Sequence, residues 1–165
     1  MDNTVSNAID HLAEQVSSST IDEPLLIGIH TGGVWIAEIL HRKISFNEEL
    51  GTLDISFYRD DFSRVGLNPQ VKASTLPFAI EDRNIILIDD VLYTGRTIRA
   101  ALNEIFSYGR PASVQLGVLI KRTGRELPIQ PDFTGMELDL GSHQQAKLYQ
   151  HDGILGFGVD EVTAT

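Results

Sequence analysis

The stretch IILIDDVLYTGRT, residues 85–97, runs four aliphatic side chains into two adjacent aspartates and then, after three more residues, into a Thr-Gly-Arg-Thr turn. A short unbroken apolar run bounded by turn residues reads as a strand buried on both faces. Burying an unpaired carboxylate is costly and two adjacent ones repel, so Asp89 and Asp90 are expected where cations, hydrogen-bond donors or ligand hydroxyls meet them. On an extended chain their side chains point to opposite sides, unless the strand has already ended. Thr94, Gly95, Arg96 and Thr97 then offer two hydroxyls and a row of backbone N–H groups at a helix start, where unpaired donors and the helix dipole favour a phosphate. Each part alone has a plainer reading, an acidic helix cap or a threonine-capped turn. Together, in this order, carboxylates for hydroxyls or Mg²⁺ followed by an anion cradle describe a site for a ribose phosphate.

The flanking sequence supplies the frame. After the turn, Ile98, Leu102, Ile105 and Phe106 mark a helix closed by Gly109 and Pro111, and SVQLGVLI (113–120) reads as a strand. Upstream, LLIGIH (25–30) stops at Thr31-Gly32-Gly33 and gives way to VWIAEILHRKI, where apolar residues return at helical period: strand, glycine loop, helix. TLDISFY (52–58) alternates as a further strand, and Val5, Ile9, Leu12 and Val16 place an amphipathic helix before Ser17-Ser18-Ser19. Residues 60–80 carry no sustained period, and an unstructured connection of that length is usually a lid or a binding loop. From 121 onward the pattern breaks into short pieces punctuated by glycine and proline. Strands alternating with helices imply an α/β fold, an open, mostly parallel sheet with helices on both faces. Ligands bind such sheets beyond the carboxyl ends of the strands, and both glycine loops fall at that edge.

The chain has 165 residues, 42% apolar and 22% charged, which fits one globular domain over 1–165. It has no cysteine, so disulfides, thiolate catalysis and cysteine-ligated metals are excluded. No basic-then-apolar leader opens the sequence and no segment approaches the ~20 apolar residues of a membrane span, so a soluble, cytoplasmic protein is expected. A net charge of −10 disfavours broad adhesion to nucleic acid or anionic lipid, while leaving room for a local basic face.

IILIDDVLYTGRT resembles the phosphoribosyl diphosphate (PRPP) binding motif of the type I phosphoribosyltransferases. More narrowly, DISFYRDD (54–61), DDVLYTGRTIRAAL (89–102), YGRPASVQL (108–116) and RELPI (125–129) resemble the pyrimidine operon regulator family, in the same order over roughly residues 5 to 150. That family combines uracil phosphoribosyltransferase activity with mRNA binding, and the type I fold adds a small hood over the sheet. The resemblance implies that Asp89 and Asp90 hold the ribose hydroxyls of PRPP and a Mg²⁺ ion, that Val91, Leu92 and Tyr93 lie within the binding motif, and that Thr94 to Thr97 cradle the 5-phosphate. Uracil and PRPP would give UMP and pyrophosphate.

By the same resemblance, His30, Thr31, Gly32 and Gly33 form the pyrophosphate loop, where many relatives read Lys-Thr-Arg-Gly. Two fixed positive charges are absent there; His30 either supplies charge when protonated or is a hydrogen-bonded strand-end histidine. Arg59, in YRDD, reaches the leaving pyrophosphate or pairs with Asp60 or Asp61. Residues 62–78 would be a flexible lid that excludes water from an oxocarbenium-like centre. Arg122, with Lys147 and Leu148, would frame the uracil end in the hood.

Three functional classes follow. The chain is a salvage enzyme, or a UMP/UTP-responsive regulator binding leader mRNA of the pyrimidine operon with weak or no transferase activity, or both; the family forms homodimers and higher assemblies. Arg42, Lys43, Arg110, Lys121, Arg122 and Arg125 are candidates for a basic RNA face, and a solvated surface explains them as well. A phospho-accepting receiver domain also gathers aspartates at strand ends, but it lacks a TGRT cradle.

Overall fold

A computed structural model describes residues 3–55 and 74–162. Strand β1 (Leu25–Ile29), β2 (Gly51–Leu53), β3 (Asn84–Leu92), β4 (Ser113–Arg122) and β5 (Phe133–Leu138) form one sheet in the order β2-β1-β3-β4-β5, every neighbouring pair parallel. Helix α1 (Asn3–Ser18) precedes β1, α2 (Gly32–Lys43) follows it, and α3 (Arg96–Tyr108) links β3 to β4. Strands β6 (Gln144–His151) and β7 (Ile154–Glu161) make a separate antiparallel hairpin.

The apolar run at 85–88 works as a two-faced strand. Ile85 and Leu87 pack with Leu25, Ile27, Leu116, Val118 and the buried face of α3. Ile86 and Ile88 pack on the other side with α1 and α2, through Ile9, Leu12, Ile36 and Leu40. A strand covered by helices on both sides has no polar face to alternate, which is why its sequence is unbroken. The expected period of α1 is also met, with Val5, Ile9, Leu12 and Val16 all buried.

Chain order reverses between β1 and β3: β1 leads outward to β2 on one side, while β3 leads to β4 and β5 on the other. The carboxyl ends of these adjacent strands therefore diverge into two loops with a crevice between them, the topological switch point of an open α/β sheet. Those loops are His30–Gly33 and Tyr93–Gly95. Strand, loop and helix positions alone bring the two glycine motifs of the sequence together, though they lie sixty residues apart.

Several boundaries differ from expectation. Strand β3 continues through both aspartates to Leu92, and β4 continues through Arg122, because each keeps pairing with its neighbour beyond the apolar run. Of the strand expected at 52–58, Thr52 and Leu53 are in β2, Asp54 and Ile55 leave the ladder, and the remainder lies outside the described residues. The same holds for residues 62–73 of the expected lid. Its far end is tied down: Thr75 and Thr52 exchange backbone hydrogen bonds of 2.9 and 2.8 Å, an antiparallel bridge on the edge of β2. Strands β5, β6 and β7 were not expected at all. No helix among the described residues is long and apolar enough to cross a membrane.

Leu87 is fully buried at the centre of the sheet. Leu87→Ala should therefore lower the unfolding free energy by about 2–5 kcal/mol, measured by urea denaturation. A loss under about 1 kcal/mol would mean the two cores are far less densely packed than described.

Candidate active site

The acidic pair is fixed by its own backbone. The Asp90 N–H donates to Asp89 Oδ1, and the Val91 N–H to Asp90 Oδ1, each at 2.8 Å. One oxygen of each carboxylate is thus held by the following peptide, which sets the side-chain direction. Asp89 is only 5% exposed and Asp90 is half-buried.

The loop after β1 presses directly on this pair. A β-carbon on Gly32 would overlap the Asp90 carboxylate, and one on Gly33 would lie 2.6 Å from the Ile88 carbonyl oxygen and 3.0 Å from the Asp89 α-carbon. Glycine is needed at both positions because the start of α2 approaches β3 more closely than any side chain allows. Its positive dipole end and early N–H groups are thereby brought beside the carboxylates. His30 is pinned at the strand end by its N–H to the Leu53 carbonyl, 2.8 Å, and the His30–Thr31 peptide is cis.

The second loop is built for a helix start without a side-chain cap. Gly95 has φ 101°, a left-handed conformation suited to glycine, and Arg96 N–H reaches Thr94 Oγ1 at 3.2 Å. The segment RELPI buttresses this turn. Glu126 and Leu127 N–H groups donate to the Thr94 carbonyl at 3.0 and 3.1 Å, and Glu126 pairs with Arg96 at 3.0 Å. Gly95 also fits closely against Leu127 and Ile129.

A cavity of about 490 Å³ opens at the switch point. From the predicted set, His30, Thr31 and Gly32 line it on the β1 side, and Asp89, Asp90, Val91, Tyr93 and Thr97 on the β3 side. Arg122 and Leu148 close its far end, with Lys147 beside them. Gly33 packs underneath, Leu92 is buried in the α3 core, and Thr94, Gly95 and Arg96 stand next to the cavity without lining it. Arg59 lies outside the described residues.

Four lining residues had not been singled out: Trp35, Asp54, Gln145 and Ala146. Trp35 looked like one more apolar position of α2, and Asp54 like the polar alternate of a strand. Gln145 and Ala146 belong to the unexpected hairpin, whose first strand forms a roof over the cavity. Ala146 and Leu148 turn toward the core while Lys147 between them is exposed.

The six basic residues proposed for an RNA face do not form one surface on the chain. Arg42 and Lys43 end α2 and Arg110 precedes β4, all at the amino edge of the sheet, whereas Lys121, Arg122 and Arg125 are at its carboxyl edge. Lys43 pairs with Asp10 at 3.2 Å and Lys121 with Glu137 at 3.7 Å.

A strand-end acid pair, a glycine loop against it and a phosphate-type helix turn at a parallel-sheet switch point, roofed by a small hairpin, define the type I phosphoribosyltransferase class. Residues 3–151 match the family model described as phosphoribosyl transferase domain. The chain belongs to this family and, within it, to the proteins named bifunctional protein PyrR. It is 52% identical over 161 residues to the bifunctional protein PyrR of Nitrosococcus oceani, covering 96% of this chain and 90% of that protein. To the Pseudomonas aeruginosa protein of the same name it is 56% identical over 138 residues, 84% of this chain and 79% of that one. Its fold is also that of the purine phosphoribosyltransferase of Pyrococcus horikoshii, with a TM-score of 0.64 at 21% identity over 82% of this chain and 84% of that one.

Gly33→Ala should force β3 and α2 apart, destabilising the fold by about 1–3 kcal/mol as overpacking does. Thermal unfolding checks this; a melting temperature equal to the unaltered chain would show that the loop is not packed on the acid pair.

Proposed function

We propose that the chain is a single phosphoribosyltransferase domain that makes UMP and pyrophosphate from uracil and PRPP, and that it also senses pyrimidine nucleotides as an RNA-binding regulator of pyrimidine biosynthesis. The observation that carries the catalytic reading is the cavity at the switch point, where Asp89 and Asp90 stand between two helix starts. A ribose ring bridging those starts would offer its hydroxyls to the acids, its 5-phosphate to Thr94–Thr97 and its pyrophosphate to His30–Gly33. Trp35 and Leu148 give the hairpin end apolar surface for a flat base.

Charge decides what must accompany the substrate. Asp54, Asp89 and Asp90 line the cavity against Arg122 and Lys147, and a polyanion entering it meets three carboxylates. Mg²⁺ fits this donor set, since it takes one or two carboxylates together with substrate phosphate oxygens. Asp89 and Asp90 would hold it, and when bound it neutralises charge building on the leaving pyrophosphate.

The chain's own part is placement. As the bond from C1′ to pyrophosphate breaks and that to the base nitrogen forms, with the proton of that nitrogen passing to water or to the departing pyrophosphate, positive charge develops on the ribose, and fixed carboxylates beside the ring stabilise it. Backbone N–H groups at the start of α2 take the place of the Lys and Arg of the common loop, so turnover rests on dipoles more than on side-chain cations. Arg59 is assigned to the pyrophosphate side. The cavity walls exclude part of the solvent from the reacting centre.

For regulation, a homodimer or higher assembly would have to bring the separated basic edges of two copies into one concavity. UMP or UTP in the cavity would then report through the hairpin roof to that surface. Leader mRNA is the partner expected of it.

Purified protein given uracil, PRPP and Mg²⁺ should form UMP, and absence of turnover would refute the enzyme. Asp89→Asn or Asp90→Asn should lower the rate by about two to three orders of magnitude, as loss of one transition-state-stabilising group does. Labelled leader RNA titrated with and without UMP tests the regulator: affinity that stays weak and ignores UMP overturns it.

A further inference from the structure

Arg122 was expected to frame the base, yet its guanidinium faces backbone. It is 5% exposed at the end of β4. Nε donates to the Thr123 carbonyl at 3.0 Å, Nη1 to the Gln144 carbonyl at 2.5 Å, and Nη2 to the Gly141 and Leu140 carbonyls at 3.1 and 3.5 Å. Three of those carbonyls belong to residues 140–144, the segment that enters β6.

The neighbouring contacts join the same segment to the sheet. Thr123 Oγ1 donates to the Leu140 carbonyl at 2.7 Å, and the Leu140 N–H donates back to that oxygen at 2.9 Å. On its other side the guanidinium lies over the Tyr93 ring, 3.8 Å from the centroid. Tyr93 in turn fits against Gly124, where a β-carbon would overlap the ring. Tyr93 stands in the connection between the acid pair and Thr94 of the phosphate-type turn.

These contacts form a chain of touching groups from the β3 loop through Tyr93 and Arg122 to the start of β6, whose next residues roof the cavity. A planar fork that satisfies several carbonyls while stacking on a ring is a role lysine cannot fill, because an ammonium has neither the plane nor the fork. We infer that Arg122 is a positioning residue: stacked on Tyr93, it locks the hairpin roof over the base end of the cavity and couples its placement to the phosphate turn. This deepens the uracil-transfer reading and rests on it for its kinetic consequence, but not for its structural one.

The pair is tested in two arms. Hydrogen exchange of the ligand-free protein needs no turnover: Arg122→Lys should speed exchange of amides in 140–161 at least about tenfold while those of β1 and β3 keep their rates. Tyr93→Leu, at a position 39% exposed, should produce the same pattern, and Tyr93→Phe, which keeps the ring face, should not. In steady-state kinetics Arg122→Lys should raise KM for uracil about tenfold or more, with the dissociation constant for PRPP, read from the single Trp35, within about twofold. Unchanged exchange in 140–161 in both Arg122→Lys and Tyr93→Leu overturns the inference and returns Arg122 to direct substrate contact. Parallel loss of PRPP and uracil binding also overturns it, showing that the guanidinium fork itself contacts the phosphates. If the unaltered chain has no transferase activity, the exchange arm still decides, and only the uracil-transfer reading fails.

Discussion

The close approach of α2 to the end of β3 is the constraint on which the rest depends. Two glycines let a helix start lie within contact of two carboxylates, and everything else at the carboxyl edge is arranged around that contact. Two adjacent carboxylates, one of them buried, are unfavourable by themselves; beside helix N–H groups and held by successive peptide N–H donors they become a fixed, oriented charge. The parallel sheet supplies the rigidity. Because β1 and β3 are adjacent and buried on both faces, neither loop can shift without disturbing a core.

The recognisable family motifs divide into groups that face the cavity and groups that hold those in place. DDVLYTGRT contains both: the acids and Thr97 line the cavity, Leu92 anchors the loop in the core, and Tyr93 leads to the roof. RELPI does not enter the cavity; its N–H groups take the Thr94 carbonyl and so fix the turn from behind. Such supporting contacts explain why the motif reads as one unit although its members do different things.

The fold was legible where burial is two-sided. Unbroken apolar runs at 25–29 and 85–88, each followed by glycine and a helical period, were enough to place the sheet, the two loops and the switch point. The hairpin was not legible because it is largely exposed: β6 buries only Ala146 and Leu148, and β7 carries Gly156 and Gly158 where strand-forming residues would be expected. Gly156 is covered instead by the ring of Tyr149 directly across the ladder, a contact no single strand reveals. At the site, the acid pair and glycine loops could be read from spacing, whereas Asp54 and Trp35 gain their place only from how β2 and α2 arrive in space. Arg122 lines the cavity as expected, but the carbonyls around its guanidinium could not be read, since a sequence shows a charge and not what surrounds it.

The two sides of the sheet have separate cores, one built with α1 and α2, the other with α3. Loop 30–33 passes from Ile29 in the second core to α2 in the first, whereas turn 94–97 runs from Leu92 to α3 within the second, so the two helix starts beside the cavity have different foundations. A substitution beneath α2 therefore acts on one helix start more directly than on the other. Residues 30–33 can thus vary while the TGRT turn keeps its support from α3 and from the RELPI segment. Modularity of this kind is set by the layer architecture itself, before any selection on chemistry.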